Sequence, residues 1–303
     1  MPTTHPPQVL CFGEILWDFL PAGLFPGGAP FNVAYHLHQL GAQVRVVSAV
    51  GRDLLGDELL ARLRGWGIDT SLISRHLGLP TGYVRAQVDA RGDAHYEITT
   101  SVAWDQILAS EEVVHTAVQA RAVVFGSLAQ RSAFNRNALD RILAVLPADA
   151  LRVFDVNLRA PHDDLDLIRA LAARATVLKL NAAEAARLAA DEPESPGREK
   201  AHAHALADRF GVRVVCVTAG ARGAGLLRDG SWHWEDARPV QVVDTVGAGD
   251  AFLASLVTHL LDGRSSDGEL LARACRLGEW VASQRGATPA HGPSPTPPHH
   301  HTP

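Results

Sequence analysis

Lysine is nearly absent from this chain: Lys179 and Lys200 are the only two in 303 residues, and arginine carries the rest of the positive charge. With a formal net charge of −5 and arginines scattered along the chain, no basic face is available for nucleic acid. Cysteine is scarce as well. Cys11, Cys216 and Cys275 lie far apart, the first two in apolar runs, so buried reduced thiols are expected rather than a disulfide framework. No stretch approaches the ~18 to 20 apolar residues that cross a bilayer, so no membrane partner is expected. Residues 1–8 are proline-rich and uncharged, with no basic region leading into an apolar segment, and a cytoplasmic location is expected. Several catalytic signatures are missing too. No G-x-x-x-x-G-K-[ST] occurs, which excludes a P-loop nucleotidase, and Cys11-Phe12-Gly13-Glu14-Ile15 is not the G-x-G-x-x-G of a dinucleotide fold. There is no H-E-x-x-H, and the spacing of His36/His38 and His202/His204 turns each pair to different helix faces.

What is present is ordinary globular composition, 47% hydrophobic and 20% charged, in a chain long enough for a large core. Short β-branched runs at 9–12, 44–50, 122–125, 152–155, 177–180 and 212–218 read as strands. Segments 31–40, 54–66, 133–146, 165–174 and 198–210 carry helical periodicity between them, and two further helices are expected at 250–261 and 267–285. Strand and helix in alternation imply right-handed crossovers and a largely parallel sheet covered on both faces. Residues 83–88 and 95–99 instead alternate apolar and polar around an Asp-Ala-Arg-Gly-Asp turn, and 15–20 is strand-like. Together they suggest a small antiparallel flap beside the main sheet. From Thr288 onward proline, serine and histidine follow without periodicity, and a disordered tail over 287–303 is expected.

Polar clusters recur where a strand ends and a helix begins, the edge at which open α/β sheets bind ligands. The most informative is Asp244-Thr245-Val246-Gly247-Ala248-Gly249-Asp250, running into an apolar helix. Small residues let the backbone approach a ligand and offer consecutive N–H groups, and the helix start adds partial positive charge, an environment for an anion. Asp250 beside it is placed to take a proton from an attacking hydroxyl. Gly27-Gly28-Ala29-Pro30-Phe31-Asn32 is a glycine turn into a helix, in which Asn32 offers a donor and an acceptor to sugar hydroxyls, with Asp18 upstream on the flap. Asn181-Ala182-Ala183-Glu184 has capping-box form and, at a strand's carboxyl end, also suits hydrated Mg²⁺ and phosphate. Thr218, Gly220 and Gly223 follow another strand, and Asn157 and Arg159 another, with Arg159 available to stabilise phosphoryl charge.

In this order, Gly27-Gly28…Asn32, Asn181-x-x-Glu184, Thr218-x-Gly220-x-x-Gly223 and Asp244 to Asp250, the motifs resemble those of the ribokinase-like (PfkB) carbohydrate kinases. The resemblance spans about residues 9 to 286. Gly13-Glu14-Ile15-Leu16-Trp17-Asp18, Phe125-Gly126-Ser127-Leu128 and Asp155-x-Asn157-Leu158-Arg159 look most like bacterial fructokinases. The resemblance implies an α/β, three-layer Rossmann-like sandwich over residues 8–286, with a small antiparallel β-sheet lid from about 14–20 and 83–99. It implies ATP-dependent phosphorylation of a small sugar, fructose foremost, with Asp250 as base and the backbone of Gly247, Ala248, Gly249 and Asp250 as anion hole. Asp18, Gly27, Gly28, Asn32 and Arg159 would meet the sugar, with Tyr96 packing over it. Asn181, Glu184, Thr218, Gly220, Gly223 and Gly249 would serve ATP. Glu184 would hold Mg²⁺ through water, and Asp244 would hold a monovalent cation such as K⁺. A lid-to-lid homodimer is the expected assembly. The alternatives are a kinase for ribose, a 2-keto-3-deoxy sugar acid, a nucleoside or a sugar phosphate, and a sugar-sensing protein without turnover.

Overall fold

A computed structural model describes residues 6–20, 23–88 and 94–292. Its main sheet is built from the apolar runs: β1 (Gln8–Phe12), β4 (Gln43–Gly51), β8 (Ala122–Gly126), β9 (Leu151–Asp155), β10 (Val177–Asn181) and β11 (Val214–Thr218). These pair in parallel in the order β11-β10-β9-β8-β1-β4. The short strand β5 (Ile73–His76) extends one edge in parallel. The antiparallel hairpin β12 (Gly223–Arg228) and β13 (Ser231–Asp236) extends the other.

Strand side chains alternate between two cores, as the period of two requires. In β1, Leu10 and Phe12 join one cluster while Val9 and Cys11 join the other, all fully buried. The first core is covered by α3 (Glu111–Val118), α4 (Ala133–Val145), α5 (Leu165–Ala172), α6 (Ala182–Ala190) and α7 (Glu199–Phe210). The second is covered by α1 (Ala29–Gln39), α2 (Leu54–Gly65), α8 (Ala248–Asp262) and α9 (Asp267–Ala282). Burying both faces is why the inner strands read as continuous apolar runs rather than alternating ones.

The small sheet stands apart, in the order β3-β2-β6-β7, from β2 (Leu16–Leu20), β3 (Gly23–Gly27), β6 (Tyr83–Val88) and β7 (Ala94–Ile98). Its two hairpins are antiparallel and a parallel seam between β2 and β6 joins them. The turn expected at 89–93 lies outside the described residues.

The structure departs from the sequence reading in several places, the unanticipated edge strand β5 among them. Residues 23–27, expected only to lead into a glycine turn, form β3. The β12–β13 hairpin and α3 were not anticipated: glycines interrupt the run of β12, and α3 is only eight residues long. The eleventh strand begins at Val214 rather than Val212. Residues 287–292, assigned to a disordered tail, pack on α1: Ala287 is 4% exposed, and Tyr35 Oη donates to the Pro289 carbonyl at 3.0 Å. Residues 293–303 of that tail lie outside the described residues.

Candidate active site

A cavity of about 500 Å³ opens between the small sheet and the carboxyl edge of the main one. On the lid side it is lined by Leu16, Asp18, Val84 and Ile98, and on its floor by Asn32, Gly247, Gly249 and Asp250. The floor follows from local geometry. Gly247 adopts φ 79°, the left-handed conformation that favours glycine, and caps α8. A Cβ there would sit 2.6 Å from Ala287 Cα, so no larger residue fits. Asp250 falls in the first turn of the helix. Among the described residues the amides of Gly247, Gly249 and Asp250 have no hydrogen-bond partner, while that of Ala248 makes a 3.3 Å contact to the Thr245 carbonyl. Unpaired N–H groups at a helix start form an anion site.

Asp250 is 9% exposed, and Asn32 Nδ2 donates to its Oδ2 at 2.8 Å. Burial pushes its carboxyl up to about 6; Asp155 adds to the rise, and Lys179, Asn32 and Arg159 oppose it. The glycine turn of α1 is placed by the acids around it. A Cβ on Gly27 would meet Asp18 Oδ2 at 2.0 Å, and one on Gly28 (φ 110°) would meet the Glu14 carbonyl at 2.4 Å. Asp18 lines the cavity half-buried, its carboxyl raised to about 6 by burial and by the Asp250 charge.

Two further residues were not singled out as site residues from sequence. Lys179, on β10, lines the cavity with a side chain 5% exposed and pairs with Asp155 at 2.9 Å. Burial lowers its pKa, but Asp155, Glu184 and Asp250 more than offset this and the net shift is upward. Its Nζ would lie 3.2 Å from a Cβ on Gly249, directly beneath the free amides. A lone lysine within an apolar strand, in a chain with one other lysine, was the available signal. Glu14 is 4% exposed and lines the cavity; its Oε2 has no hydrogen-bond partner, and burial raises its carboxyl to about 7.

Of the residues expected at ATP, Gly249 lines the cavity, whereas Asn181, Glu184, Thr218, Gly220 and Gly223 lie beyond its lining. Asn181 and Thr218 are register partners on β10 and β11, side by side at the carboxyl edge, and Gly220 is exposed next to them. Gly223 is buried, and a Cβ there would meet the Glu235 carbonyl at 2.0 Å, so the β12–β13 pairing requires glycine at this position. Glu184 is 5% exposed and completes the capping box of α6: its Oε2 accepts from the Asn181 amide and its Oε1 from the Leu158 amide, both at 2.8 Å. It thereby pins the loop of Arg159, whose exposed guanidinium lines the cavity and donates to its neighbour's carbonyl, Leu158 O, at 3.2 Å. Asp244 accepts from the amides of Val246 (3.0 Å) and Gly286 (3.1 Å). The side chain of Tyr96 lies outside the described residues.

Comparison with known proteins agrees with this geometry. The model of the pfkB family carbohydrate kinases matches residues 22–293. The chain belongs to that family. A fructokinase of Klebsiella pneumoniae is 26% identical over 93% of this chain and 95% of its own. In structure, the kinase is similar to an ATP-bound fructokinase from Xylella fastidiosa, with a TM-score of 0.79, 22% identity and coverage of 93% and 94% of the two chains. It is also similar to an aminoimidazole riboside kinase from Salmonella enterica bound to its riboside and an ATP analogue, with a TM-score of 0.76, 24% identity and coverage of 93% and 95%. This pfkB-family protein is therefore a carbohydrate kinase, and its relatives are named for more than one kind of sugar.

Proposed function

We propose that the protein transfers the γ-phosphoryl group of ATP to a hydroxyl of a neutral sugar, fructose foremost. One observation carries the reading: a buried carboxylate, Asp250, sits beside unpaired amides on the floor of a cavity beneath the lid. Asp250 takes the proton of the sugar hydroxyl as that oxygen attacks the phosphorus in line. The amides of Gly247, Gly249 and Asp250, with Lys179 and Arg159, stabilise the charge on the transferring group. Lid closure over the sugar excludes water, the competing nucleophile.

Acceptors dominate the sugar side. Glu14, Asp18 and Asp250 line one cavity, an arrangement suited to a polyol that donates several hydroxyl hydrogens and adverse to a sugar acid or phosphate. Among the described residues two cations line it: Lys179 is held by Asp155 and Arg159 is at the exposed rim, which favours phosphates of ATP as their partner.

Both carboxylates beside the phosphate path, Asp155 and Glu184, are already engaged by protein donors. That fits a hydrated Mg²⁺ held mainly by the nucleotide's own oxygens, with Glu184 and Asp155 as nearby negative charge; bound there, it would neutralise phosphate charge. Each oxygen of Asp244 accepts one amide and keeps a lone pair, which fits a weakly held monovalent cation such as K⁺. The outer lid strands β3 and β7 are the edges we assign to a homodimer, and we place the reaction in the cytoplasm, the expected compartment of three buried free cysteines.

A coupled ADP-release assay across hexoses, pentoses, sugar acids and nucleosides tests the substrate. Fructose should give the highest kcat/KM; a higher value for a sugar acid, nucleoside or sugar phosphate reassigns the acceptor. Sugar binding in calorimetry, with no ADP released from ATP in the presence of any acceptor, would make it a sensor.

A further inference from the structure

His36 is fully buried on α1, one turn beyond Asn32, and faces away from the cavity toward residues 287–291. Its Nε2 lies 2.9 Å from the Ala287 carbonyl and its Nδ1 lies 2.9 Å from Nε2 of His291. A carbonyl only accepts, so Nε2 of His36 carries the hydrogen, and in the neutral ring Nδ1 accepts from His291. Burial lowers the His36 pKa to about 4, with the Ala287 carbonyl opposing the shift and His291 adding to it, so the ring is neutral under working conditions. Tyr35 Oη adds a bond to the Pro289 carbonyl, and the His291 ring packs edge-on against Trp280. The strap these contacts hold is the one that backs the phosphate site. Ala287 is pressed on Gly247 so closely that no Cβ fits between them, and the Gly286 amide bonds Asp244.

We propose that His36 is a positioning residue for phosphoryl transfer: by clasping the Ala287–His291 strap to α1 it fixes the turn at Gly247 and so aims the amides of Gly249 and Asp250. This rests on the reading that those amides receive the transferring phosphoryl group. The helix that holds Asp250 through Asn32 thus also holds the opposite wall of the amide turn through His36, so base and anion hole share one support. A misplacement of ~1 Å at such a site costs up to ~10²-fold in rate.

The test compares His36→Phe, which keeps the ring volume and removes both nitrogens, with His36→Gln, which keeps a donor. Thermal unfolding first establishes that each is folded. His36→Phe should lower kcat about tenfold or more with KM for sugar and ATP within about threefold, the pattern of an interaction felt in the transition state. His36→Gln should recover most of that loss. Removing residues 287–303 should match His36→Phe, and removing 293–303 should leave kcat unchanged. Calorimetry with ADP and aluminium fluoride in the presence of sugar gives a second readout: affinity for ADP alone holds, while the fluoroaluminate complex weakens about tenfold in His36→Phe. A folded His36→Phe that turns over normally overturns the proposal, as does a His36→Gln variant as impaired as the Phe. A loss confined to KM or to melting temperature also overturns it, by showing a merely structural role. If the unmodified protein forms no fluoroaluminate complex and releases no ADP, the phosphoryl-transfer reading itself fails.

Discussion

Asn32 Nδ2 donates to Asp250 Oδ2 at 2.8 Å, joining two residues 218 positions apart and fixing the carboxylate's free oxygen relative to the amide turn. The bond favours the ionised form, against a burial that pushes the carboxyl up to about 6. Asp250→Asn should lower turnover ~10² to 10⁴-fold with sugar and ATP still bound. Because the base must be ionised, kcat should fall as pH drops through about 6. Asn32→Leu removes a donor to the anion and should move that acid limb upward. Near-normal turnover in Asp250→Asn, measured by ADP release, discards the base assignment.

Lys179 and Asp155 form a buried pair at 2.9 Å beneath the free amides. Lys179→Met strands Asp155 and should cost ~3 to 5 kcal/mol of stability, read by chemical denaturation. Adding Asp155→Asn removes the stranded charge and should restore most of the stability. Turnover should stay low in both, because the cation under Gly249 is gone. A double variant with normal kcat would make the pair structural alone.

The sheet was readable because inner parallel strands bury both faces and leave unbroken apolar runs such as Ala122–Gly126. The lid hairpin was readable from alternation, and α8 from the glycine turn that opens it. The β12–β13 hairpin was missed because Gly223 and Gly225 interrupt its run. Each is glycine for a reason visible only in three dimensions: a Cβ would strike the Glu235 carbonyl at one and the Trp232 ring at the other, both at 2.0 Å. The site divides in the same way. Asp250 and Asn32 stand in recognisable strings, whereas Glu14 and Lys179 act by where burial puts them. Glu184 was named for a metal, and its 2.8 Å bond to the Leu158 amide shows a second task, holding the loop of Arg159. The clasp of His36 on residues 287–291 had no signal, since a histidine on the buried face of an apolar helix is an ordinary core residue.

Arg159 is exposed and lines the cavity, and among the described residues no acid lies within ion-pair distance of it. A cation left unpaired at a phosphate site is free for its ligand. Arg159→Gln should reduce kcat/KM for ATP by about a hundred- to a thousandfold, the scale of one lost transition-state donor. Stability should change by less than ~0.5 kcal/mol, as for other exposed substitutions. A fall in stability with unaltered kinetics would assign the residue to the fold instead.

Glu14 gives the sharpest pH test of the cavity's electrostatics. Its Oε2 is buried without a donor, and burial raises the carboxyl to about 7, against ~4.3 in an unfolded chain. Between those values the folded state binds more protons than the unfolded one, so stability falls as pH rises across the window. Below pH ~4 the contribution is fully present, and above about 7 it is lost. Glu14→Gln keeps the shape and removes the titration. The variant should therefore be more stable than the parent at pH ~8, where the parent holds a buried charge, and no more stable at pH ~5, where the parent is already neutral. Asp18 and Asp250, raised for the same reason, keep part of the slope in the variant. Urea midpoints at the two pH values decide it: an equal difference at both would mean that Glu14 is ionised throughout and paired to a donor.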